Sequence, residues 1–256
     1  MSNATLTHDR GRVPAGVPCE TCPLRARSAF KPKDSQEIAF IQSMKVQHRR
    51  IERGTEIVHQ GQVDAELFTL FSGWAFRHKT LSDGRRQILN FLLPGDILGL
   101  QASILDASDH SIEALTDVEL CVFSRNKIWG LFERMPQLAF ELSWLGAREE
   151  NLVDEALTSV GQRTARERMA ALIMSLYRRC DHLDMVKDGG FAFPLTRQHL
   201  ADALGLSLVH TIKTWSYLRK VGLFKLSDGQ LVLLNPRLTE RWADYYDRDW
   251  KPRPIL

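Results

Sequence analysis

Residues 196–220 read TRQHLADALGLSLVHTIKTWSYLRK. Thr196 is a residue type that caps helix starts, and Leu200, Ala201 and Leu204 then repeat at helical spacing. The small Ala201 lets a second helix approach closely. Gly205 can adopt the left-handed conformation that ends a helix, Ser207 can cap a new helix two residues later, and Leu206 fills the corner between them. Two short helices joined by so tight a turn present the second one outward. Along that second helix the spacing predicts Thr211, Thr214, Trp215 and Leu218 on the inner face. Ser207, Leu208, Val209, Ile212, Lys213 and Ser216 fall on the outer face, where they would enter a DNA groove, with Thr196 and His210 completing the candidate DNA-binding set.

Downstream, two apolar runs around Phe224 and Val232 flank Asp228-Gly229, the preferred chemistry of a tight hairpin turn, so the helix pair carries a wing. A helical hairpin that merely packs in a core is the alternative. Charge favours nucleic acid: residues 161–220 hold ten Lys or Arg against five Asp or Glu, although the whole chain has a net charge of only +3.

Upstream, Met169, Leu172, Ile173 and Leu176 mark an amphipathic helix over 164–179. Before it, Pro136 opens a proline-free run to about residue 159. Leu138, Leu142, Leu145, Leu152 and Ala156 form its narrow heptad stripe, interrupted at Glu149. Such a seam needs a partner, either the preceding domain or the same helix in a second copy. In a parallel homodimer Glu149 would oppose its own copy and weaken the seam. Val160-Gly161 marks the expected hinge.

From about 49 to 124 the character is different. Short apolar, β-rich runs alternate with Gly54, Gly61, Gly73, Gly84, Gly95 and Gly99, and Asp83-Gly84 is a second hairpin turn. This pattern predicts a small antiparallel jelly roll. A short helix is expected near 38–46. The first 35 residues, interrupted by Pro14, Pro18, Pro23 and Pro32, form an irregular arm. The resulting α+β architecture divides into an arm at 1–35, a sensory jelly roll at 36–135, a dimerisation helix at 136–160 and a winged helix-turn-helix at 161–256.

With 256 residues, 44% of them hydrophobic, the chain can bury two cores. The first eighteen residues are polar and include Arg10 and Arg12, and no segment approaches eighteen consecutive apolar residues. The expectation is a cytoplasmic protein with no membrane partner. In that compartment the close Cys19/Cys22 pair reads as a metal, cluster or redox site, or else as two inert thiols. An oxygenase-type metal site in the jelly roll would need a clustered ligand set, whereas His59, His78 and His110 are scattered with no His-x-His. An enzyme is not expected. An adaptor using its helix pair for protein contacts is the other alternative.

The order of arm, glycine-punctuated barrel, long helix and winged helix resembles the Crp/Fnr regulators. The resemblance rests on Leu93-Pro94-Gly95-Asp96 with Leu98-Gly99 in the barrel and on residues 205–211, GLSLVHT, in the reading head. It implies a cyclic-nucleotide-binding-like barrel, a homodimer through the long helix, an inverted-repeat site in double-stranded DNA, and RNA polymerase as second partner. Relatives that bind cyclic AMP carry a Gly-Glu-Leu segment and a later Arg-Ser pair. This chain has Gly99-Leu100-Gln101 and His110-Ser111, so the acid and the arginine that would hold ribose and phosphate are absent, and cyclic AMP is not expected. The oxygen-sensing branch holds an iron-sulfur cluster on four cysteines. Cys19, Cys22 and Cys121 match three of them, and Ser28 stands at the remaining position.

Overall fold

A computed structural model describes residues 16–105, 107–244 and 251–256. Arg10, Arg12 and Pro14 of the predicted arm lie outside the described residues. The arm from residue 16 is a series of turns that ends at helix α1 (Ser35–Met44). Asp34 caps this helix in a reciprocal box with Glu37, which starts it three residues earlier than the apolar pattern predicts.

The jelly roll consists of β1 (Lys45–Ile51), β2 (Glu56–Val58), β3 (Leu67–Ser72), β4 (Ala75–Thr80), β5 (Arg86–Leu92), β6 (Ile97–Leu98), β7 (Ser111–Ala114) and β8 (Val118–Phe123), with a short helix α2 (Leu100–Ile104). Two four-stranded antiparallel sheets, ordered β1-β8-β3-β6 and β2-β7-β4-β5, enclose Val58, Phe68, Leu70, Leu92, Ile112 and Leu120. The β4–β5 hairpin turns at Gly84, as Asp83-Gly84 predicts.

Helix α3 (Ile128–Arg134) leads into α4 (Pro136–Gln162), whose proline occupies the first turn, where its missing amide costs nothing. The predicted hinge at Val160-Gly161 is still helical; the chain breaks at Arg163-Thr164 instead. Thr164 forms a capping box with Glu167 and opens α5 (Ala165–His182), and this local signal outweighs the glycine.

The predicted seam on α4 is divided. Leu138, Leu142 and Leu145 are fully buried in the chain's own core with Ile41, Met44, Leu67, Phe123 and Leu131, so none is free for a second copy. Each such side chain contributes about 1.5–3 kcal/mol when buried, and α1, α3 and the barrel offer that burial within the same molecule. Leu152 and Ala156 are half-buried and line a cleft facing α5. Glu149 is likewise taken up within the chain. Its carboxylate accepts from Arg77 Nη1 at 2.9 Å and Asn90 Nδ2 at 2.8 Å on the barrel.

The C-terminal domain adds β9 (Gly190–Ala192), α6 (Arg197–Leu204), α7 (Leu208–Lys220), β10 (Phe224–Ser227), β11 (Gln230–Leu233) and α8 (Pro236–Ala243). Its antiparallel sheet is ordered β10-β11-β9. One apolar cluster runs from Trp74, Phe76 and Phe91 of the barrel through Ile173 and Leu176 to Trp215 and Phe224, so the two domains share a core. The last residues do not stay with the winged helix. Arg253 pairs with Phe30 of the arm through Lys31 N to Arg253 O at 2.9 Å and Arg253 N to Ala29 O at 2.8 Å. Among the described residues, no helix is long and apolar enough to cross a membrane.

Candidate nucleic-acid interface

The helix pair is built by its local signals. Thr196 accepts from His199 N at 3.1 Å, and Gly205 closes α6 at φ +62, a conformation any Cβ would strain. Ser207 accepts from His210 N at 3.3 Å and starts α7. Leu200, Ala201 and Leu204 of α6, with Thr211, Thr214, Trp215 and Leu218 of α7, are buried as the spacing predicts.

The opposite face of α7 is open. Ser207, Leu208, Val209, His210, Ile212, Lys213 and Ser216 are all exposed, and Thr196 is exposed at the start of α6. Val209 and Ile212 are 63% and 46% exposed, values that a helix packing only into a core would not leave on two apolar residues. Arg219 and Lys220 extend the basic character at the C-terminal end of α7. No local pattern in the sequence marks Arg197. Its guanidinium sits 3.7 Å from the centroid of Trp215, a cation on the surface of the buried aromatic, and only tertiary packing places it there. The wing turns at Asp228 (φ 51) and Gly229 (φ 72), the two left-handed residues of a tight hairpin.

The helix pair is also tied to the barrel. Arg86 Nε donates to Asp202 Oδ2 at 2.9 Å, Gln87 Nε2 to Ala203 O at 3.2 Å, and Phe76 lies against His199. Asp96, fully buried in the turn just before β6, accepts from Arg148 of α4 at 3.2 Å, Arg179 of α5 at 2.8 Å and Arg253 of the C-terminal segment at 2.7 Å. Burial alone would raise its carboxyl, but these guanidiniums and the Leu93 amide hold it well below the usual carboxylate range. The motif Leu93-Pro94-Gly95-Asp96 therefore supplies the point where barrel, long helix and DNA-reading domain meet. Nothing local signalled its three partners.

The three candidate ligand cysteines are free thiols. Cys19 and Cys121 are buried in one cluster, and Cys22 is half-buried beside them, close enough for Cys19 and Cys22 to raise the Cys121 thiol. Burial is the main cause of that rise, to about 11, and burial also raises Cys19. Ser28 lies elsewhere, lining a cavity with Arg148 and Arg179. Among the described residues no three His, Cys, Asp or Glu side chains converge as metal ligands. Three cysteines with no fourth donor beside them among the described residues do not fit a four-ligand iron-sulfur cluster.

A winged helix with its recognition face exposed, joined by a long helix to a jelly roll, defines a DNA-binding transcription regulator with a sensory domain. Residues 48–135 match the cyclic nucleotide-binding domain family and residues 167–240 the Crp-like helix-turn-helix domain. The chain is 30% identical over 234 residues to the transcriptional activator protein FnrL of Cereibacter sphaeroides, covering 90% of this chain and 93% of that protein. It is 28% identical to the nitrogen fixation regulation protein FixK of Bradyrhizobium diazoefficiens, covering 90% and 95%. The solved structure of FixK2 from Bradyrhizobium japonicum superposes with a TM-score of 0.70 at 26% identity, over 76% of this chain and 96% of that one. The chain belongs to the Crp/Fnr family of transcription regulators.

Proposed function

We propose that the protein acts as a homodimer that reads an inverted repeat in double-stranded DNA through α7. The observation that carries this reading is the exposed row from Ser207 to Ser216, held outward by the buried Trp215 and Leu218. Lys213 donates to guanine or phosphate, Ile212 packs on a thymine methyl, and Ser207 and Thr196 hold phosphates. RNA polymerase is the second partner, a role supported by the likeness to FnrL, which is named a transcriptional activator.

The dimer forms on a different face of α4 from the leucine stripe. Phe140, Ser143, Ala147, Glu150, Asp154, Leu157 and Gly161 alternate at spacings of three and four and are all exposed, with Phe140 62% and Leu157 70% open. That is the a/d spacing of a two-stranded coil, with Phe140, Ala147 and Leu157 as its apolar contacts and the acids Glu150 and Asp154 keeping the dimer weak. Two copies joined along this face carry two α7 helices, one per successive major groove.

The barrel senses something other than a cyclic nucleotide. His110 stands where nucleotide-binding relatives carry the phosphate arginine. Burial, aided by Arg77 and Lys79, brings it down to about 3, so it stays neutral and offers a phosphate no charge. His59 is exposed and paired with Glu56, whereas His78 and His110 are buried, which supports a non-catalytic barrel. Selection of binding sites from random DNA tests the central reading: a two-fold symmetric motif with half-sites about one helical turn apart is expected, and recovery of no palindrome would overturn it.

A further inference from the structure

The charge around Asp96 does not balance. Arg77, Arg148, Arg179 and Arg253 converge on only two carboxylates, Asp96 and Glu149, which leaves two positive charges over among the described residues. Arg179 and Arg253 are nearly fully buried, and uncompensated buried cations are costly. Burial first, then the neighbouring Arg148 and Arg179, bring Arg253 down to about 10 despite Asp96. Arg179 also has a buried Nε with no hydrogen-bond partner.

This excess lies beside open space. A cavity of about 230 Å³ is lined by Ser28, Arg148, Arg179, Lys251 and Arg253. A cleft of about 550 Å³ between β5, α4 and α5 shares Trp144, Arg148, Arg179 and Lys251 with it and continues along Leu89, Asn90 and Leu172; Glu155 and Asp244 also line it, matched in number by Arg163 and Arg168, so the cationic excess stays at Arg148, Arg179 and Lys251. Asn90 donates its amide nitrogen to Glu149, but its buried Oδ1 has no partner. The volume is in the range of small-molecule sites, with apolar walls and a few unmet polar groups.

We infer that this cleft binds a small organic anion, whose phosphate or carboxylate head meets Arg148, Arg179 and Lys251 and whose apolar body lies along Trp144, Leu89 and Leu172. Guanidinium forks suit such heads, which take two parallel hydrogen bonds. The site is separate from the barrel interior. Its walls belong to β5, the long helix, the first helix of the DNA-reading domain and the C-terminal segment, so occupancy would bear directly on how that domain is held.

Calorimetry on the full chain with phenyl phosphate, benzoate, inorganic phosphate and phenol tests the inference. Phenyl phosphate or benzoate is expected to bind one per chain, inorganic phosphate more weakly, and phenol not at all; the stronger of the two aryl anions identifies the head group. Lys251→Ala and Arg148→Met should each weaken binding by about tenfold or more, as loss of a charge-assisted bond requires. Lys251 is exposed, so its variant should melt like wild type and separate lost binding from lost folding. Lys213→Ala on α7 should bind the probe normally. No binding to wild type at millimolar probe would overturn the site, and an equal loss in Lys213→Ala would move the anion to the DNA-reading face.

Discussion

Glu149 of the long helix accepts from Arg77 of the barrel at 2.9 Å, with both side chains only about a tenth exposed. The residue that interrupts the leucine stripe is therefore a tie between sensory domain and helix. Glu149→Leu leaves Arg77 and Asn90 without their acceptor and should cost about 3 kcal/mol of stability, as expected when one partner of a buried pair is removed. Urea denaturation measures it; a variant as stable as wild type and more strongly dimeric would show that Glu149 faces a second copy after all.

The exposed α4 face makes a separate prediction about assembly. Leu157→Asp should shift the protein to monomer in sedimentation equilibrium and lower its affinity for a two-fold DNA site, while Asp154→Leu should tighten the dimer. Leu142→Asp, at a position in the chain's own core, should instead lower the melting temperature sharply. Dissociation by Leu142→Asp without loss of folding would return the seam to the leucines.

On the recognition helix, Lys213→Ala should cost about 1–3 kcal/mol of specific binding, measured by titration against the selected site at fixed salt. Ile212→Asn should change the preferred base at one symmetric pair of positions with little change in non-specific affinity. Identical selected motifs for both proteins would show that Ile212 does not face the bases.

Acid should destabilise the protein in a defined window. His110 titrates at about 3 when folded and near 6.5 when free, so between these values the unfolded chain binds the extra proton. The stability from its buried neutral ring is complete above pH 6.5 and is withdrawn as pH falls toward 3. His78 and His199, also lowered mainly by burial, act in the same sense. Asp96 adds its loss only below about pH 3.9, the ordinary carboxylate value, because its folded form stays ionised further down. His110→Gln should flatten the stability profile between pH 6.5 and 3, read by denaturant titration at each pH; an unchanged slope would remove His110 as its source.

Anaerobic reconstitution with iron and sulfide should leave the protein colourless and nearly iron-free, since Cys19, Cys22 and Cys121 lack a fourth donor and Ser28 is turned into another cavity. A visible charge-transfer band with bound iron that disappears in Cys121→Ala would overturn this.

Much of the architecture is legible from neighbouring residues. The cap at Thr196, the left-handed Gly205, the cap at Ser207 and the turn at Asp228-Gly229 each act over about four residues, and the inner and outer faces of α7 follow from helical spacing alone. The same reasoning reached α4 but not its surroundings. A stripe of Leu138, Leu142 and Leu145 specifies an apolar face, and periodicity is silent on whether α1, the barrel or a second copy covers it.

The local elements, their order and the outward face of the reading helix were thus determined by the sequence itself, because capping, turn geometry and helical period are short-range. Only the tertiary structure decided that Glu149 joins Arg77 across 72 residues and that Asp96 gathers Arg148, Arg179 and Arg253, the last from 157 residues away. A carboxylate's need for cations is written in its chemistry. Which cations meet it depends on the path of the whole chain, since burying a charge is tolerable only where packing brings its partners within hydrogen-bond reach.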